Sequence, residues 1–331
     1  MSLQIESLSV AFGQGPQSLL AVQDLSLGLE PGQTLGVVGE SGCGKSTLAL
    51  AIMGLLPAAA RVTGGRVRFD GQTLIDGNQR YPSHLRGRRL AMVFQDPMTS
   101  LNPYLSIEAQ FRLPLRRHLK LSRSQARART IELLRTVGIP DPEERLGRHA
   151  HEFSGGQRQR LGIALALCCD PELLIADEPT TALDVTIQAG ILSLLRDLQQ
   201  QRRLGLLLIT HDLGVVAQMC QEVMVMYAGR CVERASAEAL FAQPQHPYTK
   251  ALLAAVPRLD SEPGSALANI PGQPPRITSP SHSCPFAPRC RFAEERCQQQ
   301  LPQLLPCGPG HQAACLLLPQ AGPAQAPGDA P

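Results

Sequence analysis

Apolar and polar positions follow two rhythms through the first 256 residues. Leu3–Ala11 and Ala21–Leu29 alternate partially with period two, which predicts strands with one buried face. Thr34–Val38, Leu90–Phe94, Leu173–Ala176, Leu206–Thr210 and Glu222–Tyr227 are short, mainly apolar runs, as strands covered on both faces require. Gly65–Asp70, followed by Gly71, reads as a strand and turn. Helical spacing marks Lys45–Leu56, stopped by Pro57, and Arg123–Val137, ended by Gly138. Gly155–Cys169, Thr186–Gln201 and Leu213–Gln221 complete the helical set. Short apolar strands separated by helices predict an α/β fold whose mostly parallel sheet is covered on both faces. No internal repeat interrupts this order.

The pattern changes near residue 257. Of 28 prolines, 13 precede Pro257 and 15 lie from it onward, and five of ten cysteines (Cys284, Cys290, Cys297, Cys307, Cys315) crowd into 32 residues. This predicts a regular domain over 1–257, a small Cys/Pro-rich module over 258–318 that cannot bury its own core, and a disordered tail over 319–331. Net charge is +3, too small to imply a polyanion partner without a local patch, and aromatics are 4% with no Trp, which argues against an aromatic-rich nucleic-acid platform. No run of 18 apolar residues spans a bilayer, and the start MSLQIESLSV lacks a basic segment followed by an apolar stretch. A cytosolic location with reduced thiols is expected.

The chemistry concentrates in four places. Gly39-Glu40-Ser41-Gly42-Cys43-Gly44-Lys45-Ser46-Thr47 fits G-x-x-x-x-G-K-[ST] between a strand and a helix. Its glycines let backbone N–H groups face an anion, and the helix N-terminus adds its dipole. Lys45 is expected to reach the β- and γ-phosphates and Ser46 to ligate Mg²⁺. Cys43 is read as a spectator in this loop. Leu173–Glu178 is an apolar strand ending in two acids: Asp177, placed to hold Mg²⁺ through water, and Glu178, placed to polarise the attacking water. Ser154, with Gly155, Gly156 and Gln157, caps a second helix suited to an anion. One γ-phosphate has no use for two such termini from one chain, so a head-to-tail dimer is expected, with this turn closing on the partner's ATP.

With these motifs in order, residues 1–257 closely resemble the ATP-binding subunits of ABC transporters. The resemblance implies a P-loop ABC ATPase domain: a parallel core sheet, an antiparallel β subdomain, and a helical subdomain at about 96–160. It implies that Gln95, in Phe94-Gln95-Asp96-Pro97, is the Q-loop glutamine and contacts Mg²⁺. Ser154–Gln157 corresponds to the signature, where Phe153 replaces the commoner Leu. Asp184, in Thr181-Ala182-Leu183-Asp184, belongs to the D-loop. His211 is the switch histidine at the γ-phosphate, and Phe12 holds the place of the aromatic that stacks on adenine. Glu178, His211, Lys45 and Gln95 thus form the expected catalytic set.

Gln243–Lys250 and the cysteine-rich segment resemble the oligopeptide, dipeptide and nickel importer subgroup. The cysteine spacings of 5, 6 and 17 residues do not suit zinc fingers, and reduced thiolates suit soft metals, iron–sulfur included. By resemblance, Cys284, Cys290, Cys297 and Cys315 ligate a [4Fe–4S] cluster, with Cys307 and His311 as further candidates. The family reading implies an ATPase that drives di- or oligopeptide import at the cytoplasmic face of the inner membrane. Its expected partners are a paralogous second ATPase subunit (or a second copy), two transmembrane permease subunits and, indirectly, an extracytoplasmic solute-binding protein, with no nucleic acid. Permease coupling is expected at Met98–Tyr104. The alternative is a soluble ABC-type ATPase acting on nucleic acid or the ribosome. Only 107 residues separate Thr47 from Gly155, too few for the long coiled coils of the DNA-repair members, and one cassette is present where ribosome-acting members usually carry two. A regulatory subunit with a degenerate ATP site is opposed by the intact Glu178 and His211.

Overall fold

The structure, a computed structural model, describes residues 2–15, 18–76, 81–96, 100–181, 183–256 and 270–318. The expected boundary at 257, the start of the C-terminal module, the 319–331 tail, and Pro97, Met98 and Ala182 lie outside the described residues.

Two sheets carry the chain. The smaller is antiparallel, with strands β1 (Leu3–Phe12), β2 (Leu19–Leu29), β4 (Ala60–Phe69) and β5 (Gln72–Asp76) in the order β2-β1-β4-β5. The larger contains β3 (Thr34–Val38), β6 (Leu90–Val93), β7 (Leu173–Asp177), β8 (Gly205–Thr210), β9 (Glu222–Tyr227) and β10 (Arg230–Ser236). To these it adds β11 (Leu305–Gly308) and β12 (His311–Ala313), and the order is β11-β12-β10-β9-β3-β8-β7-β6. Strands β9, β3, β8, β7 and β6 run parallel.

Alternation within the apolar strands explains why this sheet has two cores. Leu35, Val37, Leu173, Ile175, Leu207 and Ile209 point to one face, where helix α1 (Lys45–Ile52) and the smaller sheet bury them. Val38, Leu174, Ala176, Leu206 and Leu208 point to the other face, against helices that include Gly155–Ala166 and Val185–Arg202. Every residue of β3, β7 and β8 is buried, so these runs are apolar apart from Thr34, Asp177 and Thr210 at their ends.

Several boundaries differ from expectation. Helix α1 stops at Ile52 because Gly54 takes a left-handed conformation at φ 61°, before Pro57 is reached. Strand β4 begins at Ala60, five residues earlier than read, because Ala60, Arg61 and Val62 pair with Phe12, Ala11 and Val10 of β1. Helix Ile107–Leu119 was not anticipated. It contains Pro114, a breaker in isolation, yet Ser106 caps it and Ile107, Phe111 and Leu115 bury one face. The cysteine-rich segment contributes strands to the core sheet, since β12 pairs antiparallel with β10 through Glu233↔Ala313 and Arg234↔Gln312. That pairing covers a sheet edge that β10 would otherwise leave open.

Candidate functional site

Adjacent parallel strands deliver the candidate chemistry to one end of the sheet. In the order β3, β8, β7, β6, their carboxyl ends carry the Gly39–Thr47 loop, His211, Asp177-Glu178 and Gln95. Open α/β sheets bind ligands in this position. A pocket of about 730 Å³ opens there, lined by Phe12, Ser41, Gly42, Gly44, Lys45, Ser46, Thr47, Gln95, Glu178 and His211.

The loop's shape derives from its glycines. Gly44 sits at φ 104°, and a Cβ on it would stand 2.1 Å from the Ala21 carbonyl oxygen. Gly39 would place a Cβ 2.2 Å from the Met226 carbonyl oxygen. The loop therefore lies flush against two strands. Helix α1 then opens with no side chain capping it and no acid in its first turn, so its N-terminal N–H groups and dipole face the pocket. Lys45 is buried, and its ammonium donates to the carbonyls of Gly39 at 2.7 Å and Glu40 at 3.0 Å. Cys43 is also buried, and burial raises its thiol pKa despite the nearby Lys45, which suits a spectator.

The two acids differ in environment. Ser46 Oγ donates to Asp177 Oδ1 at 3.1 Å. Burial, and then the neighbouring Glu178 charge, raise the Asp177 pKa, partly offset by the Ser46 bond. For Glu178 burial acts upward, but hydrogen bonds from Thr181 and His211 and the charges of His211 and Lys45 outweigh it and hold the carboxyl below its usual range. Thr181 Oγ1 donates to Glu178 Oε2 at 2.8 Å, Gln95 Nε2 donates to the same oxygen at 3.2 Å, and His211 Nδ1 lies 3.2 Å from Oε1. Glu178 is thus an ionised carboxylate held from three sides at the pocket wall.

Two expected elements stand elsewhere. Ser154 Oγ accepts from Gln157 N, and Gln157 Oε1 accepts from Ser154 N, forming a closed capping box at the start of Gly155–Ala166. Asp184 Oδ1 accepts from Ile187 N as the cap of Val185–Arg202. Ser154, Gly155, Gly156, Gln157 and Asp184 do not line the pocket of their own chain.

All ten cysteines are free thiols. Cys284, Cys290, Cys297 and Cys315 line one enclosed pocket with Phe286, Leu316 and Leu317. Among the described residues, however, no three His, Cys, Asp or Glu side chains gather as a metal site. The expected [4Fe–4S] cluster therefore has no assembled ligand set behind it. Burial pushes the Cys284 thiol up to about 11 and raises Cys290 and Cys315, so these groups are neutral. Cys307 is outside that pocket, with its thiol 3.5 Å from the His311 carbonyl oxygen. The ring of His311, the other additional candidate, is engaged by Glu233 at 2.7 Å.

Sequence reasoning missed residues 273–277, which line the large pocket opposite the loop, and Arg289, whose guanidinium forks onto Glu40. The Pro274-Pro275 pair announced an extended segment but not its destination.

Known proteins show the same organisation. Residues 22–181 match the ABC transporter family, and residues 232–297 match the oligopeptide/dipeptide transporter C-terminal region. A probable peptide ABC transporter ATP-binding protein of Sinorhizobium fredii is 49% identical over 314 residues, covering 95% of this chain and 94% of that one. The dipeptide transport ATP-binding protein DppD of Bacillus subtilis is 47% identical, covering 96% and 95%. The oligopeptide transport ATP-binding protein OppD of Salmonella typhimurium is 47% identical, covering 95% and 92%. Among solved structures, a dimeric ATP-binding cassette bound to ADP and phosphate superposes with TM-score 0.63 at 25% identity, covering 71% of this chain and 98% of that one.

Proposed function

From the premise that the chain belongs to the ABC transporter family, among its oligopeptide and dipeptide ATP-binding subunits, we propose that it couples ATP hydrolysis to the import of di- or oligopeptides. It is an ATPase whose substrate is ATP and whose cofactor is Mg²⁺. The observation that carries the residue assignment is the convergence of Lys45, Ser46, Gln95, Glu178 and His211 on one pocket.

Lys45, the loop amides and the α1 N-terminus hold the triphosphate. The hard oxygens of Ser46 and Asp177, 3.1 Å apart, suit Mg²⁺, which when bound offsets phosphate charge. Glu178 accepts the proton of the attacking water. His211 and Gln95, already bonded to that carboxylate, orient it; His211 would contact the γ-phosphate, and Gln95 would contact Mg²⁺ with Ser46 and Asp177. Phe12 stacks on the adenine. Ser154–Gln157 and Asp184 complete the site of a second ATPase subunit across a head-to-tail dimer, which is why they lie away from this chain's own pocket. That second subunit is a paralogue or a second copy. Residues 1–257 form the nucleotide-binding domain, with a helical subdomain at about 96–160, and 258–318 form its appended module.

No helix among the described residues is long and apolar enough to cross a membrane, so transport requires separate permease subunits. An apolar groove of about 450 Å³ lies between the core sheet and helix Ile107–Leu119, lined by Met53, Phe94, Asn102, Leu105 and Leu113. Tyr104 stands exposed nearby. We assign this face to the permeases, which places the chain at the cytoplasmic side of the cell membrane, with a solute-binding protein delivering peptide outside. The finer reading of the module, a [4Fe–4S] cluster on Cys284, Cys290, Cys297 and Cys315, rests on the sequence resemblance and on those four thiols lining one pocket, where no ligand set is assembled among the described residues. Anaerobically purified protein would then carry about four irons per chain, and iron-free or zinc-loaded protein refutes it.

The central test is Glu178→Gln in the full transporter complex. Loss of a positioned base lowers turnover about 100- to 10,000-fold while ATP still binds. Hydrolysis at the parental rate overturns the assignment of Glu178.

A further inference from the structure

The ATP pocket of this chain has a wall that the cassette motifs do not supply. Gln273, Pro274, Pro275, Arg276 and Ile277 line the pocket together with Phe12 and the phosphate loop. This strap lies more than 200 residues from the loop in sequence and belongs to the C-terminal module.

Two anchors fix its position. At one end, the Ile277 carbonyl oxygen accepts from Leu20 N at 2.7 Å. Leu20 comes directly after Leu19, the cross-strand partner of Phe12, so the strap passes beside the aromatic ring. At the other end, Arg289 Nε donates to the Pro271 carbonyl at 2.8 Å and Nη2 to the Ile270 carbonyl at 3.3 Å. The same guanidinium forks onto Glu40 of the phosphate loop, with Nη1 at 2.6 Å from Oε2 and Nη2 at 2.9 Å from Oε1. The Arg289 side chain is 5% exposed. Glu40 is held a second time, since its backbone N–H donates to Tyr248 Oη at 2.8 Å. One buried planar cation therefore ties the start of the strap to the loop that grips phosphate, a geometry that a point-charge lysine would not reproduce.

The pocket divides by chemistry. Lys45, Ser46, Gln95, Glu178 and His211 make the half that takes the triphosphate. Phe12, Leu19, Leu20, Ala21 and the strap make the other half. We propose that the strap is part of the nucleotide site: Arg276 and the Pro274-Pro275 pair receive the base and ribose of a purine nucleoside triphosphate opposite Phe12. Arg289 is the positioning residue that sets loop and strap in register. Nucleotide affinity in this protein depends on its C-terminal module through these contacts. The inference rests on the reading of this pocket as the ATP site.

The test is competition titration of the full chain, with Mg²⁺, against two probes: ATP and inorganic tripolyphosphate, which has the phosphates but no base or ribose. Arg276 is exposed, so Arg276→Ala leaves the fold intact. It weakens ATP about 5- to 10-fold, the range of one or two lost polar contacts, and leaves tripolyphosphate unchanged. Arg289→Lys keeps the charge but loses the fork, and weakens both probes. Equal ATP affinity in Arg276→Ala and the parent overturns the strap's role. Equal affinity of both probes in Arg289→Lys and the parent overturns the positioning role. A parent chain that binds neither probe instead refutes the pocket reading itself.

Discussion

Replacing Gly44 by alanine tests the steric logic of the phosphate loop, with Gly42→Ala as its internal control. Both glycines hold positive φ, 80° at Gly42 and 104° at Gly44. A Cβ at Gly42 meets nothing within 4 Å, so that variant bears only the conformational cost, about 1–2 kcal/mol. A Cβ at Gly44 stands 2.1 Å from the Ala21 carbonyl oxygen. The obstacle is backbone, fixed in a strand whose Val22, Leu25 and Leu29 are fully buried, so no flexible side chain can give way. Overpacking adds about 1–3 kcal/mol, for a total of about 2–5 kcal/mol. If the loop yields, ATP affinity falls about 5- to 30-fold in Gly42→Ala and about 30- to several-thousand-fold in Gly44→Ala. If the strand yields, the cost appears in unfolding free energy instead. Equilibrium ATP titration and urea denaturation on both variants, taken together, capture either route. Gly44→Ala performing no worse than Gly42→Ala in both measurements refutes the reasoning.

The buried polar groups carry further expected outcomes. Glu233 is fully buried and accepts from the backbone N–H groups of Gln245 and His246 while pairing with His311. Glu233→Ala strands those groups and lowers unfolding free energy by about 3 kcal/mol or more, measured by urea titration; a loss below about 1 kcal/mol contradicts this. Burial, and then the Lys250 charge, press the His246 imidazole down to about 3, while a bond to the Ala314 backbone opposes them. The unfolded chain therefore takes up this proton first as pH falls below about 6.5, and the folded state takes it up only near 3. Stability from this group is complete above about 6.5 and declines by about 1.4 kcal/mol per pH unit below it, reaching about 3 kcal/mol by pH 4. His246→Asn, which caps Tyr248 N without titrating, flattens that limb in a pH series of denaturation curves. An unchanged slope counts against the buried neutral histidine.

The sequence by itself determined what short-range geometry and burial dictate. The glycines of 39–47 permit the positive φ values that a phosphate loop needs, 80° at Gly42 and 104° at Gly44, so with Lys45-Ser46 the loop was legible without any partner. Five apolar runs marked the parallel strands because burial on both faces tolerates no alternation. The acids of 177–178 were legible because they stand at the carboxyl end of such a run, whereas His211, at the end of another, took its role from the family resemblance. Tertiary structure alone decided the rest. Pro114 argued against a helix that the packing of Phe111 and Leu115 enforces. The cysteine-rich segment was legible as a module unable to bury its own core, but not where it docks: its strands complete the main sheet beside β10. The Glu40–Arg289 fork joins residues 249 apart, and no local preference encodes a contact at that distance. Such pairings arise when the chain's apolar faces have closed and the remaining buried charges must find each other.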